Sequence, residues 1–228
     1  MTEIDVRQKV LAANAAAAGT LRDGFRETGT LVLNLISSPG SGKTTLLEAT
    51  ARALRGRLRL GALDGDIATE RDAERLRRQG IPARQILTGG ACHLDARQIE
   101  KALKEENGRL SGLDVLFIEN VGNLICPTSY DLGEDFKIAL LSVAEGDDKP
   151  FKYPAIFARA ALTVVTKADL LEHVDFDLAA VRAQVAALNP SGAFLVASSR
   201  TGAGMDAWYA FVERARAEKR AAAASVAT

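Results

Sequence analysis

The side chains this sequence has least of are the soft metal ligands. Its 228 residues contain two cysteines, Cys92 and Cys126, and two histidines, His93 and His173. That excludes a disulfide framework and a cysteine-rich structural metal knot. Charge of one sign is also missing: Lys+Arg and Asp+Glu both total 29, with no basic run and no basic stretch interleaved with aromatics. A nucleic-acid binder is expected to show such a footprint, so no nucleic-acid partner is expected. No apolar run approaches the ~20 residues that cross a bilayer, so no membrane role is expected. Glu3 and Asp5 stand where a signal peptide would carry Lys or Arg. The expectation is a cytoplasmic protein with reduced thiols. With 47% hydrophobic residues, the chain is long enough for one sizeable α/β domain and short for two.

Apolar runs at 31–36, 58–63, 84–87, 115–119, 136–143, 162–165 and 194–197 read as strands. Helical patterns lie between them, at 44–54, 68–79, 95–105, 175–188 and 205–218. An alanine-rich helix at 5–25 precedes them, either packed on the domain or reserved for a partner. Short strands alternating with helices predict βαβ units: a mainly parallel sheet with helices on both faces. The expected organisation is an N-terminal helical extension over 1–28, a nucleotide-binding domain over 29–219, and a tail over 220–228 that frays. Ligands of such sheets sit at the carboxyl ends of the strands.

The first strand runs into Ser37-Ser38-Pro39-Gly40-Ser41-Gly42-Lys43-Thr44 and a helix follows. This is the strand–loop–helix setting of a P-loop, with Gly42-Lys43-Thr44 intact and Ser37 where the motif asks for glycine. Backbone N–H groups from Gly40 to Thr45 would cradle phosphates at the helix N-terminus. Lys43 would reach the β and γ oxygens, and Thr44 would offer its hydroxyl to Mg²⁺. Ser37 is expected to carry a conformational cost if its position wants positive φ.

Magnesium needs further hard oxygens. Asp66 and Glu119 both fall just past strands, where an apolar environment disfavours an acid unless a cation meets it. Asp64, followed by glycine, reads as readily as a turn residue. After the strand 162–165 comes Thr166-Lys167-Ala168-Asp169. It resembles the Asn-Lys-x-Asp motif of GTPases, with Thr for Asn. An Asp169 carboxylate can accept from guanine N1–H and the 2-amino group, a pair adenine does not offer. Ser198-Ser199-Arg200-Thr201-Gly202 resembles the segment whose backbone meets guanine O6. The expected ligand is GTP or GDP.

Cys92-His93 and Cys126 fall on loops that follow strands, on the same edge. Thiolates and imidazole suit Ni²⁺ or Zn²⁺ rather than Mg²⁺. Three such ligands leave a fourth position for water, substrate or a second subunit. Buried structural thiols are the plain alternative. His173 reads as a surface residue with no role.

Beyond the phosphate loop, these segments are similar to those of the hydrogenase nickel-incorporation GTPases. The resemblance is carried by Gly65-Asp66-Ile67-Ala68-Thr69, Asp72-Ala73-Glu74-Arg75, Thr88-Gly89-Gly90-Ala91-Cys92-His93-Leu94-Asp95 and Glu119-Asn120-Val121-Gly122-Asn123-Leu124-Ile125-Cys126-Pro127. Serine at position 37 is common in that family. The resemblance implies a GTPase switch that assists nickel insertion into [NiFe]-hydrogenase. It implies Cys92, His93 and Cys126 as ligands at a GTP-dependent homodimer interface, with Asp66 and Glu119 near Mg²⁺. It further implies a small zinc-containing nickel chaperone and the hydrogenase large-subunit precursor as partners. No Cys or His occurs before Cys92, so the N-terminal nickel store of some members is not expected. Asp72 is a candidate to orient the attacking water, no catalytic Arg is evident, and slow turnover is expected. A urease-type nickel GTPase and a non-catalytic nickel or zinc carrier are the rivals. The urease-type family usually separates its Cys and His by one Pro, and a mere carrier leaves the phosphate loop without purpose.

Overall fold

A computed structural model describes residues 3–66 and 70–226. Seven strands form one sheet: β1 Leu31–Ile36, β2 Leu60–Asp66, β3 Ala83–Leu87, β4 Val115–Glu119, β5 Phe136–Ser142, β6 Leu162–Thr166 and β7 Ala193–Val196. They lie in the order β3-β2-β4-β1-β5-β6-β7, and every pairing is parallel. Strands buried on both faces read as continuous apolar runs, which is why the pattern was visible in the sequence.

The helices are α1 Glu3–Thr28, α2 Lys43–Ala53, α3 Arg71–Arg78, α4 Ala96–Glu105, α5 Lys149–Lys152, α6 Pro154–Arg159, α7 Leu178–Leu188 and α8 Met205–Val226. Alternation along β1 divides the core. Leu31, Leu33 and Leu35 join Leu46 and Leu47 of α2, Leu54 just past its end, and Trp208 and Val212 of α8 on one face. On the other face Val32 packs with α1 and α4, while Ile36 packs with α6 and α7.

Three expectations shift. The second strand was placed at 58–63 but continues to Asp66, because β3 and β4 pair with it through Asp66↔Leu87 and Asp64↔Glu119. Pairing partners override the local turn preference of Asp-Gly. Asp64 is therefore a buried strand residue and not a turn residue. The tail expected to fray from residue 220 continues α8 as far as Val226, consistent with alanine's helix preference. The helix placed at 68–79 is observed from Arg71, while residues 67–69, including most of the Gly65–Thr69 segment, lie outside the described residues. The leading helix packs on the domain: Ala18, Leu21 and Phe25 are buried against α4 and β4. Among the described residues no helix is long and apolar enough to cross a membrane.

The α8 face hinges on Trp208. It is fully buried and its Nε1 donates to Thr50 Oγ1 of α2 at 2.8 Å. Trp208→Ala is expected to lower unfolding free energy by about 3–5 kcal/mol. Trp208→Phe keeps an aromatic ring but loses the Nε1 donor and part of the volume, and should cost less, about 1–3 kcal/mol. Chemical denaturation monitored by circular dichroism distinguishes the two.

Candidate nucleotide and metal site

The loop between β1 and α2 carries the conformational signature of a phosphate cradle. Gly40 and Gly42 have φ of 74° and 94°, and Gly42 caps α2. No non-glycine residue of the loop lies in the left-handed region, so the conformational cost expected at Ser37 does not arise. Its side chain is instead put to use. The Ser37 hydroxyl accepts from Lys43 Nζ at 3.0 Å and bonds Ser41 at short range. Lys43 is thus held folded back over its own loop at the position where phosphates are expected.

Beside the loop lies a cavity of about 500 Å³ lined by Gly40, Gly42, Lys43, Thr44 and Thr45, by Asp64, Asp66 and Glu119 of β2 and β4, by Asp72 of α3 and by Lys167 just past β6. Thr44 Oγ1 donates to Glu119 Oε1 at 2.8 Å. Glu119 Oε2 and Asp64 Oδ2 are buried without a hydrogen-bond partner, on register-paired residues of neighbouring strands. Desolvation, above all, raises the pKa of Asp64 to about 7, with Asp72 adding repulsion. Desolvation likewise pushes Glu119 up to about 8, against the opposing pull of Lys43. Two buried acids with free oxygens next to a threonine hydroxyl make a hard donor set. It fits Mg²⁺, which takes one or two carboxylates and retains waters. Asp66 follows Asp64 by two residues and so shares its face of β2.

At the base end, Thr166 Oγ1 donates to the Ser41 carbonyl at 2.6 Å. The threonine that replaces asparagine thereby ties β6 to the phosphate loop. Lys167 occupies the left-handed region, φ 57°, a conformation that costs a non-glycine residue about 1–3 kcal/mol. Asp169 Oδ1 accepts from Ser198 Oγ at 2.5 Å, and this bond, chiefly, lowers its pKa. Ser198 therefore buttresses Asp169. Ser199 differs: its hydroxyl turns toward Met205 Sδ at 3.7 Å, which leaves only its backbone for a ligand. Neither serine lines the cavity.

The softer ligands also converge. Cys92, His93 and Cys126 each offer an atom within 4.8 Å of the others, and Cys92 Sγ lies 3.5 Å from His93 Nδ1. Bonds of ~2.3 Å to sulfur and ~2.1 Å to nitrogen fit such a cluster. The neighbouring Cys126 thiol is the main cause holding the Cys92 pKa above its ordinary value, whereas burial lowers that of His93. The His93 ring stacks on Tyr130, centroids 3.8 Å apart. His173 is exposed and remote from this cluster.

One segment joins the two sites. It starts at Glu119 on Thr44 and ends at Cys126. Between them, a Cβ on Gly122 would lie 2.8–2.9 Å from Pro39 Cγ, Cα and N, so only glycine lets this segment rest on the phosphate loop. Asn123 Nδ2 donates to the Cys92 carbonyl at 3.2 Å.

The sequence profile of the CobW/HypB/UreG nucleotide-binding domain matches residues 31–196. Hydrogenase maturation factor HypB of Azotobacter chroococcum is 46% identical over 93% of this chain and 69% of its own length. The crystal structure of HypB from Helicobacter pylori in complex with nickel superposes with a TM-score of 0.86 at 40% identity, over 91% of this chain and 97% of that one. HypB from Archaeoglobus fulgidus gives 0.84 at 41% identity, over 90% and 100%. The chain belongs to the CobW/HypB/UreG family and, within it, to the HypB maturation factors.

Asp64, which by sequence reads as readily as a turn residue, enters this HypB-family site because β2 is longer than its apolar run. One feature escapes sequence reading altogether. Arg75 lines the cavity and donates to Asp72 Oδ1 at 2.9 Å, Glu48 Oε2 at 2.8 Å and Thr45 Oγ1 at 3.1 Å. Nothing in a helix that also holds Arg71, Arg77 and Arg78 singles it out; only the fold shows which arginine faces the phosphate loop.

Two predictions follow from this geometry. Gly122→Ala forces backbone against backbone, a clash of about 1–3 kcal/mol. Nucleotide affinity measured by calorimetry should fall on the order of 10- to 100-fold with cooperative unfolding retained. Glu119 and Asp64 have pKa values raised in the folded state, so the folded protein holds more protons than the unfolded one. Without Mg²⁺ and nucleotide, stability should therefore be greatest below pH 4.5 as far as Glu119 is concerned, and decline as pH rises toward about 8. Glu119→Gln should flatten that decline in thermal melts across pH.

Proposed function

We propose that this chain is a GTP-hydrolysing switch that handles nickel as cargo during [NiFe]-hydrogenase maturation. The observation that carries this reading is the single segment from Glu119 to Cys126, which touches both the phosphate loop and the thiol–imidazole cluster. The family relationship supports nucleotide hydrolysis in general, and Asp169 with its Ser198 buttress supports guanine. The nickel-bound HypB of H. pylori supports Ni²⁺ as the cargo of Cys92, His93 and Cys126.

In this reading Gly40, Ser41, Gly42, Lys43, Thr44 and Thr45 present backbone N–H groups to the phosphates. Lys43 exchanges its bond to Ser37 for the β and γ oxygens. Asp169 accepts from the guanine edge and the Lys167 stem lies along the base. Ser198 and Ser199 contribute backbone. Thr44, Asp66 and Glu119, joined by Asp64, hold Mg²⁺, which supplies charge neutralisation at the phosphates. Asp72, fixed by Arg75, orients the water that attacks the γ-phosphorus. The bond to the β–γ bridging oxygen breaks, releasing GDP and phosphate. The positions of Glu119 and Gly122 then shift with nucleotide state and reach Cys126 along the chain. A cytoplasmic homodimer formed in the GTP state, a zinc-containing nickel chaperone and the hydrogenase large-subunit precursor complete the cycle.

The reading stands on one set of measurements. GTP should be hydrolysed in preference to ATP, slowly. Lys43→Ala should abolish hydrolysis while Ni²⁺ binding persists, whereas Cys126→Ala should weaken Ni²⁺ binding and leave GTP affinity intact. Native-rate hydrolysis by Lys43→Ala would refute the assignment of the phosphate loop. Equal Ni²⁺ affinity in the GDP and GTP-analogue states would refute the coupling.

A further inference from the structure

The cysteine–histidine cluster is assembled from two separate loops, one between β3 and α4, the other between β4 and β5. The element that spans both is α1. Asn14, 4% exposed, sits in the middle of that helix with both ends of its amide engaged. Its Nδ2 donates to the Asp131 carbonyl at 2.8 Å, and its Oδ1 accepts from the Ala96 N–H at 2.8 Å. Ala96 lies three residues beyond His93. Asp131 follows Tyr130, whose ring stacks on His93.

The surrounding bonds leave little slack. At the start of α4, Asp95 and Gln98 form a reciprocal capping box, and Leu94 N–H donates to Asn120 Oδ1. Asn14 takes the Ala96 donor, so consecutive amides from Leu94 to Ala96 are all fixed just after His93. On the opposite loop, Arg22 of α1 donates from Nη2 to both Asp131 carboxylate oxygens, at 2.5 and 2.7 Å. The Asp131 carboxylate in turn accepts from Gly133 N–H. A single buried amide thus ties the start of α4, just after His93, and the loop after Cys126 to the same helix.

We infer that Asn14 is a positioning residue for the thiol–imidazole site: the N-terminal helix is the clamp that holds Cys92 and His93 at bonding distance from Cys126. This rests on the metal-binding reading of that cluster. It assigns to α1 a part in cargo binding although it contributes no ligand. Supporting contacts of this kind are worth 10- to 100-fold in metal affinity elsewhere.

The test is competition titration of Ni²⁺, and separately Zn²⁺, against a chromophoric chelator, using the full chain. The nickel–thiolate charge-transfer absorption is recorded in parallel. Asn14→Ala is expected to bind Ni²⁺ about 10- to 100-fold more weakly, with a weakened charge-transfer band and unchanged GDP affinity. Asn14→Ser is neutral and keeps a short hydroxyl for one of the two freed groups, so its loss should be smaller; it also serves if the alanine variant fails to fold. Val212→Ala is the stability control. Val212 is buried in the α2–α8 cluster, which includes no residue of either ligand loop, and this variant should melt lower with unchanged Ni²⁺ affinity. The inference is overturned if a folded Asn14 variant binds Ni²⁺ as the parent does, or if Val212→Ala loses affinity equally. A parent chain that binds neither metal would instead remove the proposed function, and this inference with it.

Discussion

The carboxylates of Asp64 and Glu119 lie side by side at the ends of β2 and β4, register partners with one free oxygen each. Burying two acids together is unfavourable unless a cation or a proton compensates. Lys43 and Thr44 reach Glu119 from the phosphate loop but satisfy only part of it. Protons relieve this repulsion, as would a bound cation. Everything downstream depends on where Glu119 is held, because the chain leaves it directly toward Gly122 and Cys126.

That downstream path is stiff for identifiable reasons. Gly122 has no room to move toward Pro39. Asn120, buried beside it, accepts from Leu94 and Val121 N–H and donates to Asn34 Oδ1 in the central strand. Asn34 donates onward to Glu134, which pairs with Lys137. A polar residue inside a central strand is tolerated only when fully hydrogen-bonded. Here the network joins the nucleotide edge to the loop that Asn14 and Arg22 hold from outside. The two ligand loops are therefore referenced both to the sheet and to α1.

Much of this was legible. All seven strands lay on apolar runs because a doubly covered parallel sheet demands them. The phosphate loop was visible despite Ser37, since a glycine at that position is one solution to a steric problem that this loop does not pose. The distribution of Cys92, His93 and Cys126 over loops at one edge already pointed to a metal. Misreadings share a cause. β2 was cut short at Asp64 because charge and glycine look like a turn when the pairing strands are out of view. The alanine-rich tail was set apart from the last helix because low complexity hides a continuing helix.

Residue type and spacing by themselves determined the parallel α/β class and the phosphate loop, and singled out Asp169 and the Cys92, His93 and Cys126 set as candidates. These are local properties: a strand–loop–helix unit and a reactive side chain are each specified within a few residues. Only the tertiary structure decided that Asp64 joins Glu119, that Arg75 rather than its neighbours faces the phosphate loop, that Gly122 rests on Pro39, and that Asn14 bridges the segments that follow His93 and Cys126. Each is a contact between segments tens of residues apart. Such contacts arise from how helices and strands pack together, and no short stretch of sequence carries that information.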